Sequence, residues 1–381
     1  MPAITARDRT ILIPGDPGWD DARKAWNLAV DQRPAAVALP TSPQDVVAAI
    51  QYARDHGLRA AAQGTGHNAA PLGPLADTVL VKTSAMRRVS IDPAARIARV
   101  EAGAVWQEIA DAAAKHGLAA LAGSSPDVGV AGYTLGGGMS WLSRAYGLAA
   151  NNVEAIELVT ADGRPVRADA GTEPDLFWAL RGGGGNFGVV TAIELRLFPI
   201  TEVYAGLLWW PAGAASQVLQ AWRELTQGGL PDEFTTTARL MNFPPIPDIP
   251  EQIRGRSFTV IDVIHLGAAA EADRLLAPLR ALDPVRTQSR RSPCQPWATC
   301  TWIPTARSRP RATGGFSPAC PRGPSTRSSR RPTRAPPHRC SPWNCGTSAA
   351  RYAAPARATA HWPRSTPITW SSPVAWRLPR N

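Results

Sequence analysis

The chain has 381 residues, 44% of them hydrophobic and 19% charged, which is enough for two domains and a sizeable buried core. No charged-then-apolar leader follows Met1 and no run of about 18 apolar residues occurs, so we expect neither a secretory signal nor a membrane span, and a cytoplasmic protein. The formal charge of +11 suggests a nucleic-acid partner only until it is mapped, because 17 arginines and no acidic residue lie in 286–381, leaving residues 1–285 mildly acidic.

After an N-terminal segment (1–32), Ala35–Leu39 reads as a short apolar strand. Ser42-Pro43-Gln44-Asp45 then starts a helix, with Ser as N-cap, Pro in the first helical position and an acid in the first turn. Val46, Ile50 and Ala53 share one face until Gly57, a left-handed stop. Leu58–Ala62 completes a β-α-β unit that opens into "QGTGHN". Val79–Lys82, Val89–Asp92 and Ile97–Glu101 are strands, the last two a hairpin over Asp92-Pro93. Val105–His116 is helical. A long loop follows, Ala122–Leu148, with a short helix inside it. Val153–Thr160 and Pro165–Ala168 flank the turn Asp162-Gly163. Glu173–Leu180 is a helix, Arg181–Gly188 a glycine loop, and Val189–Leu197 a strand ending before Pro199. Beyond Thr201 a second, α+β domain shows a helix at Ala214–Leu225, a strand at Phe258–Leu266 and a helix at Ala268–Leu282. Trp106, Trp141 and Trp178 are expected in the core, and His56 and His116 at helix C-termini.

Residues 286–381 differ from the rest in kind. They contain all five cysteines, six of the 14 tryptophans and 16 prolines. Of these 96 residues, 84 are Ala, Pro, Ser, Thr, Arg, Gly, Cys or Trp, the types whose codons carry G or C at the second base. A GC-rich gene read out of frame has this composition, whereas natural disorder is poor in Trp and Cys. We read the tail as a frameshifted translation in preference to a natural basic tail. Its cysteines then carry no redox or metal meaning, and no metal site is expected. Proline and unpaired arginine predict a segment without a compact core, and a strand near Phe258–Leu266 short of partners.

Three glycine loops, at 64–66, 129–138 and 182–188, lie beside strands. Consecutive amides at such turns form concave anion sites, and three of them suggest an extended ligand with a pyrophosphate at its middle. The dinucleotide G-x-G-x-x-G does not fit, since Gly64-Thr65-Gly66 lacks a glycine at 69 and Gly129-Val130-Ala131-Gly132 has the wrong spacing. No Walker lysine follows either later loop.

"QGTGHN", "SSPDVGVAGYTLGGG", "GLAANNVEAIELVTADG" and "LFWALRGGGGNFGVVTAIELRLFPI" stand in this order over Arg33–Ile200. Together they resemble the FAD-binding domain of the berberine-bridge-enzyme-like branch of the vanillyl-alcohol-oxidase (PCMH-type) flavoproteins. The resemblance implies an α+β fold: a two-subdomain FAD-binding domain over 33–200, then an incomplete α+β substrate domain over 201–285 and an irregular tail. It implies that His67 bonds covalently to the 8α-methyl carbon of FAD while the amides of Gly64, Thr65 and Gly66 face the pyrophosphate, beside Asn68. Ser125 stands where doubly linked relatives have cysteine, so attachment is expected to be single. Val128, Gly129, Gly132, Tyr133 and Gly136, Gly137 and Gly138 would wrap the phosphates and ring. Gly147, Asn152 and Val153 match a further cofactor-lining segment, and Val190 lies toward the nucleotide end. The implied reaction is transfer of a hydride from a small alcohol, sugar or amine to FAD, with dioxygen as the acceptor. No residue in the sequence identifies the catalytic base. The rival readings are an FAD-binding but inactive fragment and, less favoured, a basic-tailed nucleic-acid-binding protein.

Overall fold

The computed structural model describes residues 11–293, with side chains to residue 287. The expectation of a coreless tail falls on residues 294–381, outside the described residues.

Strand β1 (Ile11–Leu12) and helix α1 (Trp19–Ala22) precede strand β2 (Ala36–Ala38), with which β1 pairs antiparallel. Helix α2 (Pro43–Asp55) begins as its sequence requires. The Ser42 hydroxyl accepts from the Asp45 N–H at 3.2 Å, and the Asp45 carboxylate accepts from the Ser42 N–H at 3.0 Å. A reciprocal cap of this kind is worth about 1 kcal/mol. Val46, Ala49, Ile50 and Ala53 are the buried face of α2. Strands β3 (Arg59–Gln63) and β4 (Thr78–Lys82) complete a sheet ordered β1-β2-β4-β3. β4 therefore lies between the two strands of the β-α-β unit, parallel to both.

The second sheet is antiparallel and ordered β5-β6-β9-β7-β8. It comprises β5 (Val89–Asp92), β6 (Ile97–Glu101), β7 (Val153–Val159), β8 (Pro165–Asp169) and β9 (Val189–Arg196). Helices α3 (Trp106–Ala114), α4 (Val130–Leu135), α5 (Ser143–Tyr146) and α6 (Pro174–Gly183) punctuate it. Ala98, Val100, Ile156, Leu158, Ile193 and Leu195 point into one core with Trp106, Ile109 and Leu180. The alternate residues carry charge: Arg99 donates to Glu157 at 2.9 Å and Arg167 to Glu194 at 2.6 Å, each pair reaching across one intervening strand. Val159 and Val189, at one end of this sheet, pack with α2 and the first sheet, which joins the two subdomains.

The third sheet is ordered β11-β12-β10-β13, built from β10 (Glu202–Pro211), β11 (Phe234–Asn242), β12 (Ser257–His265) and β13 (Arg286–Pro293), with helices α7 (Ala215–Gln227) and α8 (Ala269–Arg280). Tyr204, Leu208, Trp210, Ile261 and Val263 pack with α7 and α8 residues such as Val218 and Leu276. Leu207, Trp209 and Val260 face the other way, with Phe243 and Phe258.

Three sequence expectations are corrected here. The strand near Phe258–Leu266 does not lack partners, because β12 pairs along its length with β10 on one side and β11 on the other. The structural boundary is not at residue 285, because β13 runs through Pro293 in register with β10, from Trp209↔Arg286 to Glu202↔Pro293. Backbone amides make that ladder, so a change of side-chain composition need not end it. Trp178 is not a core residue: it is 76% exposed, whereas Trp106 is 2% and Trp141 8% exposed.

Candidate cofactor site

Strand β3 ends at Gln63, and the chain turns through Gly64, Thr65 and Gly66 to His67. Gly66 is required there twice over. Its φ is +82°, and a Cβ would lie 2.9 Å from Ala25 Cβ. The segment before β2 straps this turn, with the Trp26 N–H donating to the Thr65 carbonyl at 2.9 Å. The N–H groups of Thr65, Gly66 and His67 donate to no acceptor among the described residues. Successive unsatisfied amides on a tight turn are what an anionic group requires. Asn68, next along the chain, is exposed.

The second glycine loop closes on the first. A Cβ on Gly129 would contact Thr65 at 3.5 Å, and an antiparallel bridge between Val105 and Gly129 anchors the loop to the start of α3. The Val128 carbonyl accepts from the Trp106 N–H at 3.1 Å, and Val128 itself packs on the core of the second sheet. Gly132 lies in α4 with open space at its Cβ position, and Gly136 caps that helix. Gly137 and Gly138 have φ of +109° and +72°, and their carbonyls accept from the N–H groups of Ala150 and Ala149. That contact brings in the segment containing Gly147, Asn152 and Val153. The Asn152 amide donates to the Tyr146 and Leu148 carbonyls at 2.9 and 3.0 Å, holding the turn around Gly147. The third loop docks through the Gly184 N–H on the Leu135 carbonyl at 3.1 Å. Val190 is buried in β9, and its neighbour Thr191 accepts from Ala102, whose carbonyl lies 3.5 Å from the Gly64 Cβ position. These contacts link the segments singled out in the sequence to one another.

The electrostatic centre is Asp127, a residue of the second loop to which no sequence pattern assigns a role. Asp127 accepts from the Trp26 indole N–H at 2.8 Å and from the Ser125 hydroxyl at 2.6 Å. His67 Nε2 lies 3.3 Å from the Asp127 carbonyl and 3.7 Å from its carboxylate. The imidazole stacks on Trp26 with centroids 3.8 Å apart and an interplanar angle of 18°. Burial pulls the His67 pKa below the usual imidazole value, against the opposing pull of Asp127, so the ring is neutral at pH 7. Trp26 lies 41 residues before His67, in the segment the sequence reading set apart, and no local pattern connects the two.

Several buried polar atoms have no protein partner, among them both amide atoms of Gln63, the Tyr133 hydroxyl and the Trp106 indole N–H. Tyr133 stands edge-on to Trp106, with its ring wedged so closely between Gly123 and Gly138 that a Cβ on either would lie under 3 Å from it. Burial raises its pKa well above that of an ordinary phenol, so it remains a neutral hydroxyl. Free amides, orphaned polar atoms and glycine-lined surfaces suit a large polar cofactor with a phosphate portion.

Residues 34–169 match the sequence family described as FAD binding domain. This part of the chain is an FAD-binding domain. Its relatives are FAD-linked oxidoreductases. The chain is 33% identical over 279 residues to (R)-6-hydroxynicotine oxidase of Paenarthrobacter nicotinovorans, covering 71% of this chain and 58% of that protein. It is 31% identical over 291 residues to xylooligosaccharide oxidase of Thermothelomyces thermophilus, covering 73% and 54%. Among solved structures it resembles 6-hydroxy-D-nicotine oxidase of Arthrobacter nicotinovorans, with a TM-score of 0.67, 30% identity and coverage of 76% and 62%. It also resembles a BBE-like protein of Physcomitrella patens, with a TM-score of 0.65, 26% identity and coverage of 74% and 60%. The chain spans 58% and 54% of the length of these two curated relatives, and about half or less of others that it matches. The FAD-binding domain contains every residue singled out above, apart from Trp26 and the strap on one side and Val190 with the third glycine loop on the other. Among the described residues no group of side chains could hold a metal ion, and no helix is long and apolar enough to cross a membrane.

Proposed function

We propose that the chain is an FAD-dependent oxidoreductase acting on a small alcohol, sugar or amine, with FAD held covalently through His67. Bound FAD would supply the hydride acceptor for a substrate C–H bond and pass the electrons to dioxygen. The observation that carries the reading is the placement of a neutral imidazole directly beyond three free amides. A neutral ring keeps a lone pair for bonding at physiological pH, whereas a protonated one has none. Stacking on Trp26 removes the ring's rotational freedom, and a group held beside its target reacts as if highly concentrated. Thr65, Gly66 and His67 would bind the pyrophosphate through their N–H groups. Tyr133, Gly136, Gly137 and Gly138 would line the cofactor, together with Gly147, Asn152, Val153 and Val190. Attachment is single, because Ser125 offers a hydroxyl already donated to Asp127 and no thiolate.

The test is His67→Ala. Wild-type protein should retain its yellow colour through acid precipitation and yield a flavin adduct on the peptide containing His67. The variant should lose both while still binding FAD non-covalently. A wild-type peptide without the adduct refutes the covalent claim.

A further inference from the structure

The Asp127 carboxylate sits at the centre of a hydrogen-bonded group whose parts come from three separate stretches of chain. Trp26 fixes its Oδ2 at 2.8 Å, and Ser125 fixes its Oδ1 at 2.6 Å. That same Oδ1 is 3.7 Å from His67 Nε2, and the Asp127 carbonyl is 3.3 Å from it. Both Asp127 oxygens facing the imidazole are acceptors, so Nε2 must carry the ring proton for the contact to be favourable. Nδ1 then holds the lone pair. Trp26 serves two ends at once, since its ring face stacks on the imidazole while its N–H holds the carboxylate.

We propose that Asp127 is the positioning residue for flavin attachment: it holds His67 in the Nε2–H tautomer and takes that proton as the bond to the flavin forms. The inference rests on the covalent reading of His67 and extends it to a residue that makes no bond to the cofactor. Nδ1 bonds to the methyl carbon, which loses one hydrogen as a proton. Nε2 loses the other proton to Asp127, so that the substituted ring ends neutral. The electron pair of the broken C–H bond passes through the flavin to dioxygen, and two electrons and two protons leave as hydrogen peroxide. Without Asp127 the ring would be left cationic in a half-buried site where burial already disfavours charge. A fixed carboxylate behind an imidazole likewise sets the tautomer and orientation of the histidine in hydrolase triads, although there it stabilises the charged ring without taking the proton.

The experiment uses the full-length chain, produced without flavin and then mixed with FAD. Asp127→Asn preserves size and can still accept from Trp26, and non-covalent FAD affinity is measured alongside so that slow attachment is separated from weak binding. Covalent incorporation, followed by acid-stable absorbance and peptide mass, should slow by about a hundredfold, the scale of a lost proton acceptor. Asp127→Glu should recover part of the rate, which a purely structural role would not predict. Incorporation into Asp127→Asn at the wild-type rate overturns the proposal while leaving the His67 adduct intact. Absence of the adduct in wild type overturns both. Should Asp127→Asn fail to fold, nitrogen-15 spectra of His67 in the wild-type apoprotein decide: an Nε2–H tautomer supports the assignment, and an Nδ1–H tautomer overturns it.

Discussion

Replacing Gly66 by alanine puts a methyl group into the seam between the N-terminal strap and the first glycine loop. With φ at +82°, a side chain there costs about 1–2 kcal/mol in backbone conformation alone. The new Cβ would stand 2.9 Å from Ala25 Cβ, 3.1 Å from Ala25 Cα and 3.0 Å from Gln63 Nε2. The Gln63 amide can swing aside. Ala25 cannot, because its main chain is tied to the loop through the Trp26 N–H and the Thr65 carbonyl. Forced overlap of this kind costs about 1–3 kcal/mol, so the whole perturbation amounts to about 2–5 kcal/mol. Relief requires the strap to lift, which would unstack Trp26 from His67. We therefore expect a lower urea midpoint, a change in tryptophan emission and slower covalent flavin incorporation. Gly132→Ala is the matched control, since open space surrounds that Cβ position within helix α4. In the apoprotein it should be neutral or stabilising by about 0.5–1 kcal/mol. Equal midpoints for the two variants would refute the reasoning.

Two further expectations follow from burial. Trp106→Ala should cost about 3–5 kcal/mol, whereas Trp178→Ala should change stability by less than about 0.5 kcal/mol; similar losses in denaturation curves would contradict the exposure difference. Asp262 is fully buried beside Arg239, and burial lifts its pKa from 3.8 to about 6, with Arg239 pulling the other way. Because the folded state holds this proton more tightly than the unfolded chain, its contribution is largest below about pH 4 and declines as pH rises to about 6. A shift of about 2 units corresponds to at most about 3 kcal/mol. Asp262→Asn should remove that decline, and urea midpoints from pH 4 to 7 with an unchanged slope would show the assignment to be wrong.

The parts of the fold legible in the sequence are those with local punctuation. Ser42 and Asp45 cap α2 as their spacing requires, and the β5–β6 hairpin over 89–101 falls where its turn residues put it. The third sheet was less legible. Strand β10 is buried at eight consecutive positions, Val203–Trp210, because it lies between β12 and β13 and is covered on both faces. Such a strand shows no alternation to read. β11 has the opposite difficulty: its Thr235, Thr236 and Thr237 give it little apolar signal, and pairing with β12 rather than hydrophobicity sets its place. At the site, the glycine loops were legible because glycine density is local. The Trp26–Asp127 contact was not, because the two residues are 101 apart in sequence and meet only once both loops are folded.

Strand β13 bears on how composition and structure divide a chain. The acid-free, arginine-rich composition begins at residue 286, and a boundary drawn there cuts a strand whose eight residues pair continuously with β10. The ladder depends on backbone N–H and C=O groups, which every residue but proline supplies in full, so a sequence such as RTQSRRSP can occupy it without an apolar pattern. Among the described residues it lies at the sheet edge, a place where an apolar pattern is not required. The neighbouring strand supplies the burial: β10 brings Leu207, Leu208 and Trp209, each under 5% exposed, to the positions opposite Gln288, Thr287 and Arg286. The same division holds at the candidate cofactor site. Trp26 lies outside the matched domain at 34–169, yet it supplies the stacking surface for His67 and one of the two donors to Asp127. A fragment cut at residue 34 would keep every glycine loop and lose the strap that holds the imidazole against Asp127.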